Sequence, residues 1–219
     1  MTDRLPVRPQ RRLLFRSLAA APLLLLAGCG GLVGRDRDSD RQVFALNDVQ
    51  PPTGTPVSWQ LAIDEPATPA MLNRARIALQ RADGQFDYFA DASWSDRLPS
   101  LARLVLIQSF SNSGRILGLA EDTLTLRADY QLRSSLRAFQ AHYRQQGEPP
   151  EAVVAVGVQL VRLPERVAVD ARVFERRRPA QRDSLSAIAG ALDAAFSEVQ
   201  QELVGWALTS GSRDYASRR

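Results

Sequence analysis

Apolar residues recur along this chain with more than one period, and each change of period marks an element. Val57, Trp59, Leu61 and Ile63 alternate with Ser58, Gln60, Ala62 and Asp64, the period of two of a half-buried strand. Pro66 and Pro69 end it. Ala75 to Gln80 and Phe86 to Ala90 flank Asp83-Gly84, a pair suited to a tight turn because glycine tolerates positive φ, so two antiparallel strands are predicted there. Pro99 stands where a first helical turn would begin. Leu101, Leu104, Val105, Ile107 and Phe110 then form a wide apolar stripe that stops at Ser111-Asn112-Ser113-Gly114, which predicts a helix packed on a sheet.

Farther along, Val153 to Leu163 is apolar on both faces, as in a strand covered on both sides. Val167, Val169, Ala171 and Val173 alternate with Ala168, Asp170, Arg172 and Phe174, so the neighbouring strand is expected nearer an edge. Ala128 to Tyr143 fits two periods. Leu132, Leu136, Phe139 and Tyr143 sit at helical spacing, while a strand would place Tyr130, Leu132, Leu136 and Ala138 on one side. Leu185, Ile188, Leu192, Phe196, Val199, Leu203 and Trp206 recur every three or four residues, with Asp193, Ser197, Glu198, Gln201 and Glu202 between them. They predict an amphipathic helix of about six turns laid on the sheet. Its polar face carries acids and no arginine, which disfavours binding to anionic lipid. Gln42 to Leu208 is the size of one domain, and Thr209 to Arg219 is expected to be a loose polar tail.

The first 28 residues change the picture of where this domain works. Arg4, Arg8, Arg11, Arg12 and Arg16 precede an uncharged stretch from Ser17 to Leu26, which runs into Leu26-Ala27-Gly28-Cys29. A membrane span needs roughly 20 apolar residues and this stretch is shorter, so a cleaved export signal fits it better. The segment resembles the bacterial lipobox, which implies cleavage between Gly28 and Cys29 and acylation of the cysteine. Cys29 is the only cysteine. Acyl chains contribute about 0.8 kcal/mol per buried CH₂, and two or more hold a protein firmly on a bilayer. Gly30, rather than aspartate, follows the cysteine, a pattern similar to outer-membrane sorting. Arg11-Arg12-Leu13-Leu14-Phe15-Arg16 partly resembles a twin-arginine motif, leaving the export route open. Gly30 to Arg41 is rich in glycine and then in mixed charge, a tether that extended chain geometry lets reach about 40 Å.

Charge and residue inventory then exclude several kinds of chemistry. The signal holds five of the 28 basic residues and one acid, Asp3, of 24, leaving 23 of each sign in the rest. The basic surplus belongs to the signal, so a nucleic-acid binder is not expected. There is no lysine, hence no P-loop, and any ATP-driven step falls to another subunit. His142 is the sole histidine and is expected to be a surface residue; no metal site and no cofactor beyond the covalent lipid on Cys29 is expected. No Gly-x-Ser-x-Gly elbow occurs, and Glu121-Asp122 reads as a solvated turn. Arg176-Arg177-Arg178, with Arg182 beyond, is the sharpest charge run. It reads as a solvated strand end that could also hold a partner's acids or lipid headgroups, since guanidinium forks bind phosphate well. Trp59, Trp94 and Trp206 are expected in sheet–helix packing rather than in a lipid pocket.

One ordered pattern joins these pieces: Phe44-Ala45-Leu46, the segment through Trp59, Phe86-Asp87-Tyr88-Phe89-Ala90-Asp91-Ala92-Ser93-Trp94 followed by Leu98-Pro99, and the helix ending at Ser113-Gly114. Ala128-Asp129-Tyr130-Gln131-Leu132 with Phe139, the valine-rich strand and the closing helix through Leu203 and Trp206 continue it. The pattern resembles the auxiliary lipoproteins of ABC-type intermembrane transport systems, the group that includes the lipoprotein of the paraquat-inducible system. The resemblance implies a single three-layer α/β domain with a mixed, partly antiparallel sheet and packed helices, similar to the TolB N-terminal and anticodon-binding folds, in which Ala128 to Phe139 is a strand. It implies a non-catalytic docking or receiving role at the periplasmic face of the outer membrane of a Gram-negative bacterium. The expected partners are an ABC permease, its ATPase and a protein with the mammalian-cell-entry (MCE) domain that carries lipid, with a homo-oligomer left open. An envelope tether or assembly factor, and a periplasmic enzyme with an unrecognised site, are the alternative readings.

Overall fold

The segment that fits two periods is a strand, and the sheet is assembled on it. A computed structural model of the chain describes residues 41–116, 118–120, 127–145 and 147–219. The elements run β1 (Gln42–Phe44), β2 (Leu61–Ile63), β3 (Arg76–Gln80), β4 (Phe86–Trp94), α1 (Leu98–Asn112), β5 (Leu119–Ala120), β6 (Tyr130–His142), β7 (Glu151–Arg162), β8 (Val167–Pro179) and α2 (Leu185–Ser217). One long side of β6 pairs antiparallel with β7, which pairs antiparallel with β8. The other side of β6 is shared. β2 lies parallel to its first residues, Leu61 facing Tyr130, and β3 lies parallel to its last, Ala78 facing Gln140. An isolated bridge between Ala67 and Ser135 spans the gap. β4 and then β1 extend the sheet beyond β3, and β5 extends it beyond β2. The result is the expected mixed, partly antiparallel sheet with packed helices.

The expected hairpin is present, with Gly84 at φ +85° in the turn and Gln80 facing Phe86. The strand expected from Val57 is shorter. Before Leu61 the backbone is engaged elsewhere: the Val57 N–H donates to Arg115 O at 2.8 Å, and the Gln60 N–H to Asp129 Oδ2 at 2.8 Å. The three residues of β2 are buried on both faces, so the strand is not half-exposed. α1 begins with Pro99 in its first turn and ends before Gly114 at φ +64°. Its buried line differs from the apolar stripe: Leu104 is 56% exposed while Leu106 is buried, because Ser109, a polar residue, belongs to the inner face.

α2 is longer than six turns. It covers 33 residues and takes in the expected tail. Ser210 and Gly211 are buried, and Asp214 accepts from Tyr130 Oη at 2.7 Å and from Arg162 Nη1 at 2.7 Å. The tail looks solvated from its composition, yet its polar groups meet polar partners at the end of the sheet, so the helix continues. Ser184 caps the start, its Oγ accepting from the Ala187 N–H.

α2 crosses the face of β6–β8 that carries Leu132, Leu136, Phe139, Val154, Val156 and Phe174. Trp94, Phe139 and Phe196 form an edge-to-face series with centroids 5.8 and 5.4 Å apart. Trp59 meets the Tyr130 ring edge-on at 5.0 Å. β7 is buried along both faces, as expected, apart from Gln159 and its two ends. α1 lies beside α2, joined to it by a buried hydrogen bond from Ser109 Oγ to Gln200 Oε1 at 2.7 Å. The segment 45–60 crosses this seam. Asn47 donates from its backbone and its amide to Asp193, Gln200 Nε2 donates to Asn47 O at 3.0 Å, and the Val49 N–H donates to Ser109 Oγ at 3.0 Å.

Candidate functional surface

Gly28, Cys29 and the Glu121-Asp122 pair lie outside the described residues. The arginine run lies on β8, where alternation splits it between two faces. Arg176 and Arg178 point toward α2. Arg176 pairs with Glu198 and Glu202, and Arg178 with Glu198. Arg177 points the other way and holds Glu175 through Nε at 2.8 Å and Glu151 through Nη1 at 3.4 Å. Arg182 is exposed in the bend before α2. Glu198 and Glu202 of α2 thus meet arginines of the sheet. Partly exposed pairs of this kind contribute at most about 1 kcal/mol each, and their guanidiniums are already engaged.

The alternation expected along β8 is offset by a bulge. Leu160 faces Asp170 but Val161 faces Ala168, leaving Val169 as the extra residue. Beyond it the helix-facing row is Asp170, Arg172, Phe174, Arg176 and Arg178, whereas Val173 on the opposite face is 46% exposed. The valines of β8 are therefore not its inner row. Asp170 accepts from Ser210 Oγ at 2.5 Å, the Ala171 N–H at 2.8 Å and Trp206 Nε1 at 3.0 Å. These donors, the Ser210 hydroxyl first, hold its carboxyl below the ordinary carboxylate value. Burial, together with the Asp214 carboxylate, pushes the Tyr130 hydroxyl above its ordinary value. Trp59 and Trp94 are buried in the core and Trp206 packs on Phe174 at 6.0 Å, so all three serve packing. His142 is half-buried at the end of β6, opposite Glu151 in register. Among the described residues no group of three or more His, Cys, Asp or Glu could hold a metal ion, and no helix is long and apolar enough to cross a membrane.

The face of β6–β8 turned away from α2 is different. In register across it run Ser135, Gly157 and Val173, and beside them Arg133, Gln159 and Ala171. Three small residues, Ser135, Gly157 and Ala171, leave a hollow, and a cleft of about 610 Å³ opens there. Arg133 and Arg137 are exposed on its β6 side. Arg137 is the extra residue of a second bulge, between Leu136 and Ala138. Its side chain folds over Gly157, where an added Cβ would stand 2.7 Å from Arg137 Nε and 2.9 Å from Ser135 Oγ. Neither arginine stands out in the sequence: four residues apart, they share a face in either reading of Ala128 to Tyr143, but nothing local sets them beside Gly157 and Ala171 of the neighbouring strands. The available signal is the alternation Arg133, Ser135, Arg137 between buried Leu132, Ser134 and Leu136.

The family model for the ABC-type transport auxiliary lipoprotein component matches residues 44–204. A protein of Bradyrhizobium diazoefficiens is 29% identical over 186 residues, which are 83% of this chain and 49% of that one, so the chain spans about half the length of this curated relative. The crystal structure of the Xanthomonas campestris protein XCC0632 superposes with a TM-score of 0.75 at 26% identity, covering 80% of this chain and 99% of the other. A crystal structure of a further, uncharacterized protein gives 0.60 at 16% identity over 75% and 96% of the two chains, a likeness of fold alone.

Proposed function

Because the chain belongs to the family of ABC-type transport auxiliary lipoprotein components, we propose that it is the lipoprotein subunit of an MCE-associated intermembrane lipid transport system. In this reading Cys29 carries the acyl chains and the tether to Arg41 lets the domain stand off the bilayer. The domain sits at the periplasmic face of the outer membrane and receives or docks the MCE protein, whose permease and ATPase supply the energy. The subunit catalyses nothing. The observation that carries the reading is the reach of the family match, which runs from the end of β1 into the second half of α2. The internal pairing of the polar groups supports a docking role: Asp170, Asp214, Glu198 and Glu202 each answer a donor of the same fold.

The test is metabolic labelling with palmitate followed by membrane fractionation and detergent co-purification of the full chain. Wild type should take up label, fractionate with the outer membrane and bring down an ABC ATPase, a permease and an MCE-domain protein. Cys29→Ser should take up no label and leave the membrane. Unlabelled wild type, or membrane retention of Cys29→Ser, would remove the anchor. Recovery of none of the three transport proteins would remove the subunit role.

A further inference from the structure

We infer that the cleft on the sheet face opposite α2 is a binding site for a small phosphate-bearing anion, held by Arg133 and Arg137. The argument is one of unspent charge. Arg176, Arg177 and Arg178, the arginines most conspicuous in the sequence, already hold acids of the same chain. Arg133 and Arg137 make no ion pair among the described residues, and no carboxylate lines their cleft. Asp64 accepts from Gln131 Nε2 at 2.7 Å, and Glu175, on the same face of β8 as Val173, holds Arg177. Arg133 and Arg137, with Arg172 on the β8 side, gather positive charge along one hollow that has no carboxylate in its lining, a setting that favours an anion.

The floor matches such an occupant. Small Ser135 and Ala171 leave room beside the Arg137 side chain that lies over Gly157, and the Gln159 amide adds a donor beside the arginines, while the Ser135 hydroxyl donates to Gly157 O at 3.4 Å. Guanidinium recognises phosphate through two parallel N–H···O bonds, stronger than neutral hydrogen bonds. Arg137, although exposed, lies with its Nε over Gly157 and so lines the cleft. The chemistry is that of a phosphate group, whether free or on a lipid headgroup. Only the lipid source rests on the transport role proposed above.

The test uses the full acylated chain in a non-ionic detergent, titrated calorimetrically with inorganic phosphate, glycerol 3-phosphate, dihexanoyl phosphatidylglycerol and dihexanoyl phosphatidylcholine. The site predicts saturable binding of the anionic probes that weakens with salt. Arg133→Gln/Arg137→Gln should lower the affinity about tenfold or more. Arg74→Gln/Arg81→Gln, which removes the same charge from the opposite half of the sheet, should leave it unchanged. Gly157→Val, which pushes Arg137 off its place over the floor without altering charge, should weaken it too. Tighter binding of the phosphatidylglycerol than of glycerol 3-phosphate assigns the site to a lipid headgroup; equal binding assigns it to free phosphate. No saturable binding of any anionic probe, or equal affinity in Arg133→Gln/Arg137→Gln and wild type, overturns the site. Either result would leave co-purification with the transport proteins untouched, so the two proposals fail separately.

Discussion

A Cβ on Gly211 would stand 2.6 Å from Cζ2 of Trp59, so α2 passes the indole only because position 211 has no side chain. This reverses the usual effect of a helical glycine. Gly190 and Gly205, on the same helix, have nothing within 4 Å of an added Cβ. Gly190→Ala and Gly205→Ala should each stabilise the fold by up to about 1 kcal/mol through backbone entropy. Gly211→Ala should destabilise it by about 1–3 kcal/mol, the cost of overpacking. Urea unfolding of the three variants gives the signs directly, and a gain for Gly211→Ala would contradict the contact.

The α1–α2 seam should be equally sensitive. Ser109 Oγ accepts from the Val49 N–H and donates to Gln200 Oε1, a residue with no exposed surface. Ser109→Ala strands both partners, and each unsatisfied buried group costs about 1–3 kcal/mol. The loss should appear as a lower urea midpoint with an unchanged slope.

Phe196 closes the series that begins at Trp94 and passes through Phe139. Phe196→Ala should cost about 3–5 kcal/mol, the range for emptying a buried aromatic site. Unfolding monitored by tryptophan fluorescence and by circular dichroism should shift by the same amount.

Asp170 ties stability to pH. Its carboxyl titrates below the value of about 3.9 expected in the unfolded chain, so on acidification the unfolded chain takes up the proton first. Its contribution is complete above that value and is lost as pH falls through the lower, folded one. Stability measured from pH 6 down to pH 2 should fall less steeply across the acid end in Asp170→Asn than in wild type.

How far the sequence discloses this structure depends on where each signal lies. The Asp83-Gly84 turn, Pro99 at the start of α1 and the doubly apolar β7 are written within a few residues of themselves, and each is found where expected. The end of α2 is not: Ser210 and Asp214 look solvated until Asp170, Tyr130 and Arg162, which lie 40 or more residues away along the chain, are placed against them. The inner row of β8 is hidden for a related reason, since one extra residue at Val169 exchanges the faces of every residue after it. The arginine run announces its chemistry but not its partners, which stand on α2 for Arg176 and Arg178 and on β7 and β8 for Arg177. Arg133 and Arg137 share a face whichever period is read, but their setting emerges only when the pairing of β6 with β7 puts Gly157 beside them.

The outer rim of β8 has no strand beside it among the described residues. A rim of 13 residues would ordinarily invite another chain to add itself, yet this one is awkward to copy onto. It is kinked at Val169, studded with Asp170, Arg172, Glu175, Arg176, Arg177 and Arg178, and stopped by Pro179. Charge, a kink and proline are the devices that discourage fusion between sheets. This rim is therefore a poor template for strand addition by another copy.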